Sequence, residues 1–312
     1  MKKISIIVPV YNEEEVINKF FQRTRKILEK IKYKWELIFV NDGSTDSTLP
    51  LLIKLAEQNL DIKIINFSKN FGHQQAVTAG FDYANGDAVI SIDADLQDPP
   101  ELIPKLIAKW EKGNEVVHAK RKSRKDGILK ILTATIFYKF LNLLLQTKIP
   151  ENVGDYRLLD RKVIHVFKKL PEKNRYLRGL SSWVGFKQTF VKFHRDKRHA
   201  GKTKYSLAKM LKLASNAVFS FSRFPIRLAR YLTVIFGLSS CGIFIYVLYS
   251  WIQDNVVPGW ASQILIMLIF TSINLVILSI ISEYVSRIYN QVQGRPIYII
   301  SDTYNINKSK HE

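Results

Sequence analysis

The residues "VISIDADLQDPPE" (89–101) set a short apolar run against the acids Asp93, Asp95, Asp98 and Glu101. An apolar run that stops at acidic, turn-forming residues reads as a buried strand leaving its sheet. The chain around it is basic. Its 312 residues include 47 Lys+Arg against 27 Asp+Glu, a formal net charge of +20. Carboxylates gathered at one strand end in such a chain call for a local cation.

The four acids divide. "DPPE" followed by "LIPKLI" has the pattern of a helix start, with Asp98 as N-cap, Pro99 as first helical residue and Glu101 as capping-box partner. That leaves Asp93 and Asp95. In extended chain, positions i and i+2 point to the same side. Two carboxylates so placed repel unless a cation lies between them. Mg²⁺ or Mn²⁺ suits such a pair, taking one or two carboxylates and filling its other positions with water and phosphate oxygens. A D-x-D tripeptide is common by chance, so a pair of solvated loop acids is the competing reading.

Outward from this stretch, apolar runs alternate with helical patterns. Strands are expected at 4–8, 35–40, 63–67, 88–92 and 115–119, and helices at 14–31, 47–58, 74–84 and 99–111. This alternation predicts an α/β fold with a doubly wound, mostly parallel sheet. Such sheets bind ligands outside the carboxyl ends of their strands, where the opening acids lie. "VPVYNEE" follows the first strand and "VNDGSTDST" the second. Asn41, Asp42 and Gly43 form a plain βα turn, or Asp42 accepts hydrogen bonds from a nucleotide base. G-x-G-x-x-G and G-x-x-x-x-G-K-[ST] are both absent, which disfavours ordinary dinucleotide and P-loop sites.

The C-terminal third differs in character. Residues 231–253 carry no charge, nor do residues 255–282. Each stretch can cross a hydrocarbon core of about 30 Å, which needs roughly 20 helical residues. A pair of buried core helices is the alternative. Arg223, Arg227 and Arg230 precede the first stretch, Arg287 and Arg295 follow the second, and "DNVVPGWA" between them has no Lys or Arg. The positive-inside rule then puts both chain ends in the cytoplasm. "KILTATIFYKFLNLLLQ" (130–146) and the segment 206–230 are apolar helical patterns for the bilayer interface or the domain core. "MKKISIIVPVYNEE" reads as the first strand of a cytosolic domain rather than a signal peptide. The single cysteine, Cys241, excludes a disulfide framework and a Cys-based zinc site. The expected organisation is a catalytic domain over 1–205, an interface helix over 206–229, two membrane spans over 230–288 and a cytoplasmic tail over 289–312.

A resemblance sharpens these expectations. "SIIVPVYNEEE", "FVNDGSTDST", "NFGHQQAVTAGFDYANGDAVISIDADLQDPPELI", "RYLRGLSSWVGF" and "EYVSRIYNQVQGRPIYII" occur in this order. Together they resemble glycosyltransferase family 2 enzymes that act on polyprenyl phosphates. That group includes dolichyl-phosphate mannose synthase and, closest here, the bactoprenol glucosyltransferases. The resemblance covers nearly the whole chain and implies a GT-A fold for nucleotide-sugar binding. It places Pro9, Tyr11 and Glu13 in the nucleotide pocket, Asp42 at the base, and Asp93 and Asp95 on the metal with Gln97 nearby. It also implies that Arg121 and Arg124 lie near the phosphates and that Asp155 is an acid lining the active site. Asp155 has a second reading as a turn residue after Gly154, and "KRKSRK" around Arg121 and Arg124 a second reading as a solvated or lipid-facing patch. Arg198, Lys204 and Tyr205 match a loop that closes over the donor diphosphate, with Thr203 where that motif usually has Ser. Asp95, Asp155, Arg198 and Lys204 thereby receive catalytic roles.

The implied reaction moves a sugar from a nucleotide diphosphate sugar, a UDP-sugar and specifically UDP-glucose being favoured, to polyprenyl phosphate at the lipid bilayer, with inversion. A homo-oligomer is compatible with the resemblance. A processive polysaccharide synthase is the enzymatic alternative, but Q-x-x-R-W and additional spans are missing. A nucleic-acid-binding protein has only net charge in its favour, without helix-turn-helix, zinc or RNP signatures, and no nucleic acid partner is expected.

Overall fold

The computed structural model describes residues 2–122, 150, 153–173, 175–194, 218–219, 222, 224–253 and 259–306. The chain divides into two compact units, one holding the sheet and one holding the C-terminal apolar helices.

The sheet unit begins with β1 (Lys3–Val10), α1 (Ile17–Leu28), β2 (Lys34–Asn41), α2 (Thr48–Gln58), β3 (Ile62–Phe67), α3 (His73–Tyr83) and β4 (Ala88–Ser91). It continues with a short 3-10 turn (Pro100–Leu102), α4 (Ile103–Glu111), β5 (Val116–Arg121), β6 (Val153–Asp160), α5 (Arg161–Lys169), α6 (Leu177–Trp183) and β7 (Gln188–Phe193). A last strand, β8 (Ile300–Tyr304), belongs to the same unit. The eight strands lie in the order β7-β5-β6-β4-β1-β2-β3-β8. β1 pairs in parallel with β2 and β4, β2 with β3, and β5 with β7. β6 runs antiparallel to β4 and β5, and β8 antiparallel to β3. The sheet is therefore mixed but mostly parallel.

Central strands of such a sheet are covered on both faces, which is why they read as unbroken apolar runs. From Ile4 to Val10, β1 is buried throughout. Helix α3 lies so close to it that a Cβ on Gly80 would come within 2.2 Å of Ile7 Cγ2. The register sets Val10 beside Asn41, so β1 and β2 end together, and Ile7 beside Ser91, so β4 ends three residues earlier along β1. Chain order turns back at β1: β2 and β3 lie to one side of it and β4 to the other. Open α/β sheets form their ligand crevice at this kind of switch point.

Three expectations change. The capping box at 98–101 does not form. Pro99 is extended (φ −72°, ψ 123°), and no side chain caps the 3-10 turn that follows. Pro100 disfavours helical backbone at the residue before it, Pro99, which delays the helix start. Glu101 instead forks onto Arg23 of α1 at 2.7 and 2.8 Å, and Asp98 is buried with the Arg121 guanidinium 3.9 Å away. Asp155 sits within strand β6, not in a turn after Gly154. The region 289–312 is not simply a tail, because Ile300–Tyr304 forms the edge strand of the sheet.

In the second unit, α7 (Phe224–Ile252) and α8 (Trp260–Val292) are long and apolar. The stretches Phe224–Val247 and Ser262–Val292 have mean hydropathies of 1.7 and 2.8, and neither is buried within the protein. That exposure removes the alternative of two core helices. Phe236 and Phe270 join the pair edge to face, with centroids 5.6 Å apart. Residues 224–229 form the first turns of α7 rather than a separate interface helix. The segment 130–146 lies outside the described residues.

Candidate active site

Two turns build one side of the rim at the strand ends. Asn12, after β1, accepts from the Thr45 N–H at 2.8 Å, and its own N–H donates to Ser44 Oγ at 3.0 Å. The N–H of Glu13 donates to Thr48 Oγ1 at 2.9 Å, and Ser47 N–H donates to Glu14 Oε2 at 2.9 Å. "VPVYNEE" and "VNDGSTDST" are thus one cross-linked surface. Pro9 is buried in β1, while Tyr11 stands exposed at its end.

Asp42 reaches the neighbouring loop. Its Oδ1 accepts from Phe71 N–H at 2.7 Å, and Gly72 N–H donates to both carboxylate oxygens at 3.1 and 3.0 Å. Burial pushes the Asp42 carboxyl up against the opposing pull of these N–H groups. The approach is possible because Gly43 has φ +66° and no side chain; a Cβ there would lie 2.4 Å from the Lys69 carbonyl carbon.

The next residue in that loop, His73, begins α3 and places Nε2 2.9 Å from Asp93 Oδ1. The segment 71–73 therefore ties Asp42 to Asp93. Neighbouring groups that withdraw His73 from water favour neutral imidazole, but the charge and hydrogen bond of Asp93 outweigh them and raise its pKa to about 9. Asp93 is correspondingly lowered; burial opposes its charge, and His73 stabilises it.

Past β4, exposure alternates. Ile92, Ala94 and Leu96 are buried, whereas Asp93, Asp95 and Gln97 are half-buried. The i, i+2 carboxylates thus share the open side. Leu96 holds φ +58° while fully buried. A left-handed conformation at such a residue costs about 1–3 kcal/mol and persists only where its surroundings enforce it. The turn is fixed by Gln97 N–H donating to Asp95 Oδ1 at 3.1 Å. Among the described residues, no group of three or more His, Cys, Asp or Glu forms a closed metal cage. Two oxygen-donor carboxylates on an open rim fit Mg²⁺ or Mn²⁺, which retain positions for water and ligand oxygens.

Asp155 lies in β6 next to this rim, and Ser91 Oγ donates to its carbonyl oxygen at 2.5 Å. Arg157 Nη2 donates to Asp155 Oδ1 at 2.6 Å, and Arg178 Nη2 to Oδ2 at 2.7 Å. Burial works against the carboxylate charge, yet the Arg178 and Arg157 guanidiniums hold it well below the usual range. Arg121 ends β5, with Gly154 leaving room beside its guanidinium. Arg124, Arg198, Thr203, Lys204 and Tyr205 lie outside the described residues.

The sequence reading assigned no role to His73, Arg157 or Arg178. His73 and Arg178 lay in "NFGHQQAV" and "RYLRGL", two of the stretches that carried the resemblance. Arg157 had no signal beyond a charge in an apolar run.

The chain has relatives among known proteins. The model for glycosyl transferase family 2 matches residues 5–167. Over 308 residues the chain is 47% identical to the Bacillus subtilis (strain 168) protein named uncharacterized glycosyltransferase YkcC, covering 98% of this chain and 95% of that one. Over 310 residues it is 41% identical to the SfII prophage-derived bactoprenol glucosyl transferase of Shigella flexneri, covering 98% and 99%. A solved structure of glucosyl-3-phosphoglycerate synthase from Mycobacterium tuberculosis, in complex with Mn²⁺, UDP-glucose and phosphoglyceric acid, is 17% identical with a TM-score of 0.46, covering 70% of this chain and 77% of that one. The sheet, with its acids at the switch point, is of the GT-A type found in sugar-transferring enzymes. The chain belongs to glycosyltransferase family 2.

Proposed function

We propose that this glycosyltransferase transfers glucose from UDP-glucose to a membrane polyprenyl phosphate such as undecaprenyl phosphate, with inversion at the sugar. The observation that carries the reading is the open pair Asp93 and Asp95 at the end of β4, in a chain that aligns along 98% of its length with a bactoprenol glucosyl transferase. The two uncovered apolar helices fit a membrane anchor for an acceptor that stays in the bilayer. We place the catalytic unit and both chain ends on the cytoplasmic side. The catalytic domain spans 1–205, followed by a juxtamembrane segment up to the start of α7 at Phe224 and by the two spans within α7 and α8; the C-terminal residues return to the sheet.

The acceptor supplies its own nucleophile. A phosphate monoester has its second pKa near about 6 and is largely dianionic at pH 7, so no general base is required. Its oxygen forms a bond to the sugar C1, the bond from C1 to the diphosphate oxygen breaks, and UDP leaves with that electron pair. Pro9, Tyr11, Glu13 and Asp42 line the nucleotide pocket. Asp93 and Asp95, with Gln97 beside them, would hold the divalent cation, whose Lewis acidity stabilises the departing diphosphate. Arg121, Arg124, Arg198 and Lys204 would offset the remaining negative charge, with Tyr205 belonging to the same sequence motif as Arg198 and Lys204.

The test is direct. Membranes containing the protein are incubated with undecaprenyl phosphate and a panel of labelled nucleotide sugars. Lipid-extractable label from UDP-glucose is the expected result. Label from another donor would replace glucose, and no label from any donor would overturn the reading.

A further inference from the structure

Asp155 is the meeting point of two arginines. One carboxylate receives two guanidiniums, and they differ in position. Arg157 is the inner one, 1% exposed, and its Nη1 is held by the Leu177 carbonyl at 2.8 Å and Ser181 Oγ at 2.5 Å. Arg178 is the outer one: its side chain is 23% exposed while Asp155 is 7% exposed. Arg178 is therefore the outward-facing member of the trio.

The direction of that face is fixed by a clamp. Leu177 N–H, one residue before Arg178, donates to Gln74 Oε1 at 3.1 Å. Gln74 adjoins His73, which reaches Asp93. The start of α6 is thus fastened to the start of α3, and Arg178 shares the rim with the candidate metal acids. Its charge acts on both Asp93 and His73.

We propose that Arg178 binds the diphosphate of the nucleotide-sugar donor, and that Asp155 is a positioning residue acting through Arg178 rather than an acid–base group. The proposal rests on the glycosyltransferase reading above. A divalent cation held by Asp93 and Asp95 is balanced by those carboxylates, so the charge of a donor diphosphate falls to the basic side chains of the rim, and Arg178 stands among them. A guanidinium forks onto phosphate oxygens and is oriented by a buried carboxylate behind it. Two flanking arginines keep Asp155 from taking a proton, and an ionised acceptor phosphate does not require it to.

The experiment uses full-length protein in nanodiscs with Mn²⁺, and measures UDP and UMP affinity by calorimetry together with turnover. UDP carries the β-phosphate that UMP lacks. In Arg178→Gln, UDP affinity should fall at least tenfold while UMP affinity changes less than twofold, with Arg178→Lys regaining part of the loss. Asp155→Asn should lower kcat/KM alone but cost little further in the Arg178→Gln background. Thermal melting identifies any variant that fails to fold; Arg178→Gln leaves Asp155 paired with Arg157, so it keeps the test open if Asp155→Asn does not fold. Unchanged UDP affinity in folded Arg178→Gln would overturn the assignment while leaving the enzyme reading intact. Multiplying losses in the double variant would give Asp155 a role of its own and overturn the positioning claim. Wild-type protein that binds neither nucleotide would overturn both the assignment and the reading beneath it.

Discussion

Arg157 and Asp155 stand two residues apart on β6, on the same side of the strand, and meet at 2.6 Å where neither side chain is more than 7% exposed. Breaking a buried pair by removing one member strands the other charge and typically costs about 3–5 kcal/mol. Arg157→Met should therefore lower the melting temperature markedly. Arg157→Lys should recover little, because an ammonium cannot hold Asp155, Leu177 and Ser181 in one plane. Thermal melts of the full-length protein check both, and a wild-type melting temperature in Arg157→Met would refute the expectation.

Asp93→Asn separates chemistry from folding. The amide oxygen can still accept from His73, so the protein should still fold, with its melting temperature lowered only modestly by loss of the ion pair. Charge at the candidate metal site falls by one, and glucosyl transfer should drop at least ~100-fold, with weaker Mn²⁺ binding. Near-normal transfer would remove Asp93 from the metal site.

Acid should destabilise the sheet unit in two steps. Burial pushes His118 down, aided by Arg157 and opposed by Gln188, to about 4 from the ordinary 6.5. The unfolded chain binds that proton first, so stability held above pH 6.5 is lost as the pH falls through 4. Glu36 is also buried, but Lys3, Lys63, Ser5 and the Asn85 N–H outweigh desolvation and lower it to about 2 from 4.5. Its contribution is complete above 4.5 and disappears as the pH falls through 2. His118→Gln should flatten the upper part of a melting-temperature profile and Glu36→Gln the lower part; superimposable profiles would contradict this.

Gly43→Ala should damage the nucleotide side of the rim. Alanine at φ +66° is strained by roughly 1–2 kcal/mol. Its Cβ would also strike the backbone of Lys69 and Asn70, displacing the loop that supplies Asp42 with two N–H donors. Lower stability with weaker UDP binding is expected, and calorimetry that finds wild-type UDP affinity would show the loop to be dispensable.

The parallel half of the fold was legible because its burial is two-sided. β1 to β5 are apolar runs bounded by turn residues, and the expected strands lie within a few residues of Lys3–Val10, Lys34–Asn41, Ile62–Phe67, Ala88–Ser91 and Val116–Arg121. β6, "VGDYRLLD", was hidden because its buried charges neutralise each other only across space. β8, "ISDTY", is a short, largely polar edge with little apolar pattern to show. At the site, the spacing of Asp93 and Asp95 already implied a shared side. The grip of 71–73 on two strand ends could not be read from spacing, since it depends on how α3 docks. The helix cap at 98–101 followed a sound local rule that two arginines and a pair of prolines override.

β8 also constrains how the protein is made. Asn66 and Asp302 hydrogen-bond across 236 residues of sequence, and between them lie both apolar helices. Such distant pairing is slow to form and comes late. A ribosome must therefore release the chain through Tyr304 before the β3 edge can be covered. Until then the nascent enzyme presents an open strand edge to its surroundings.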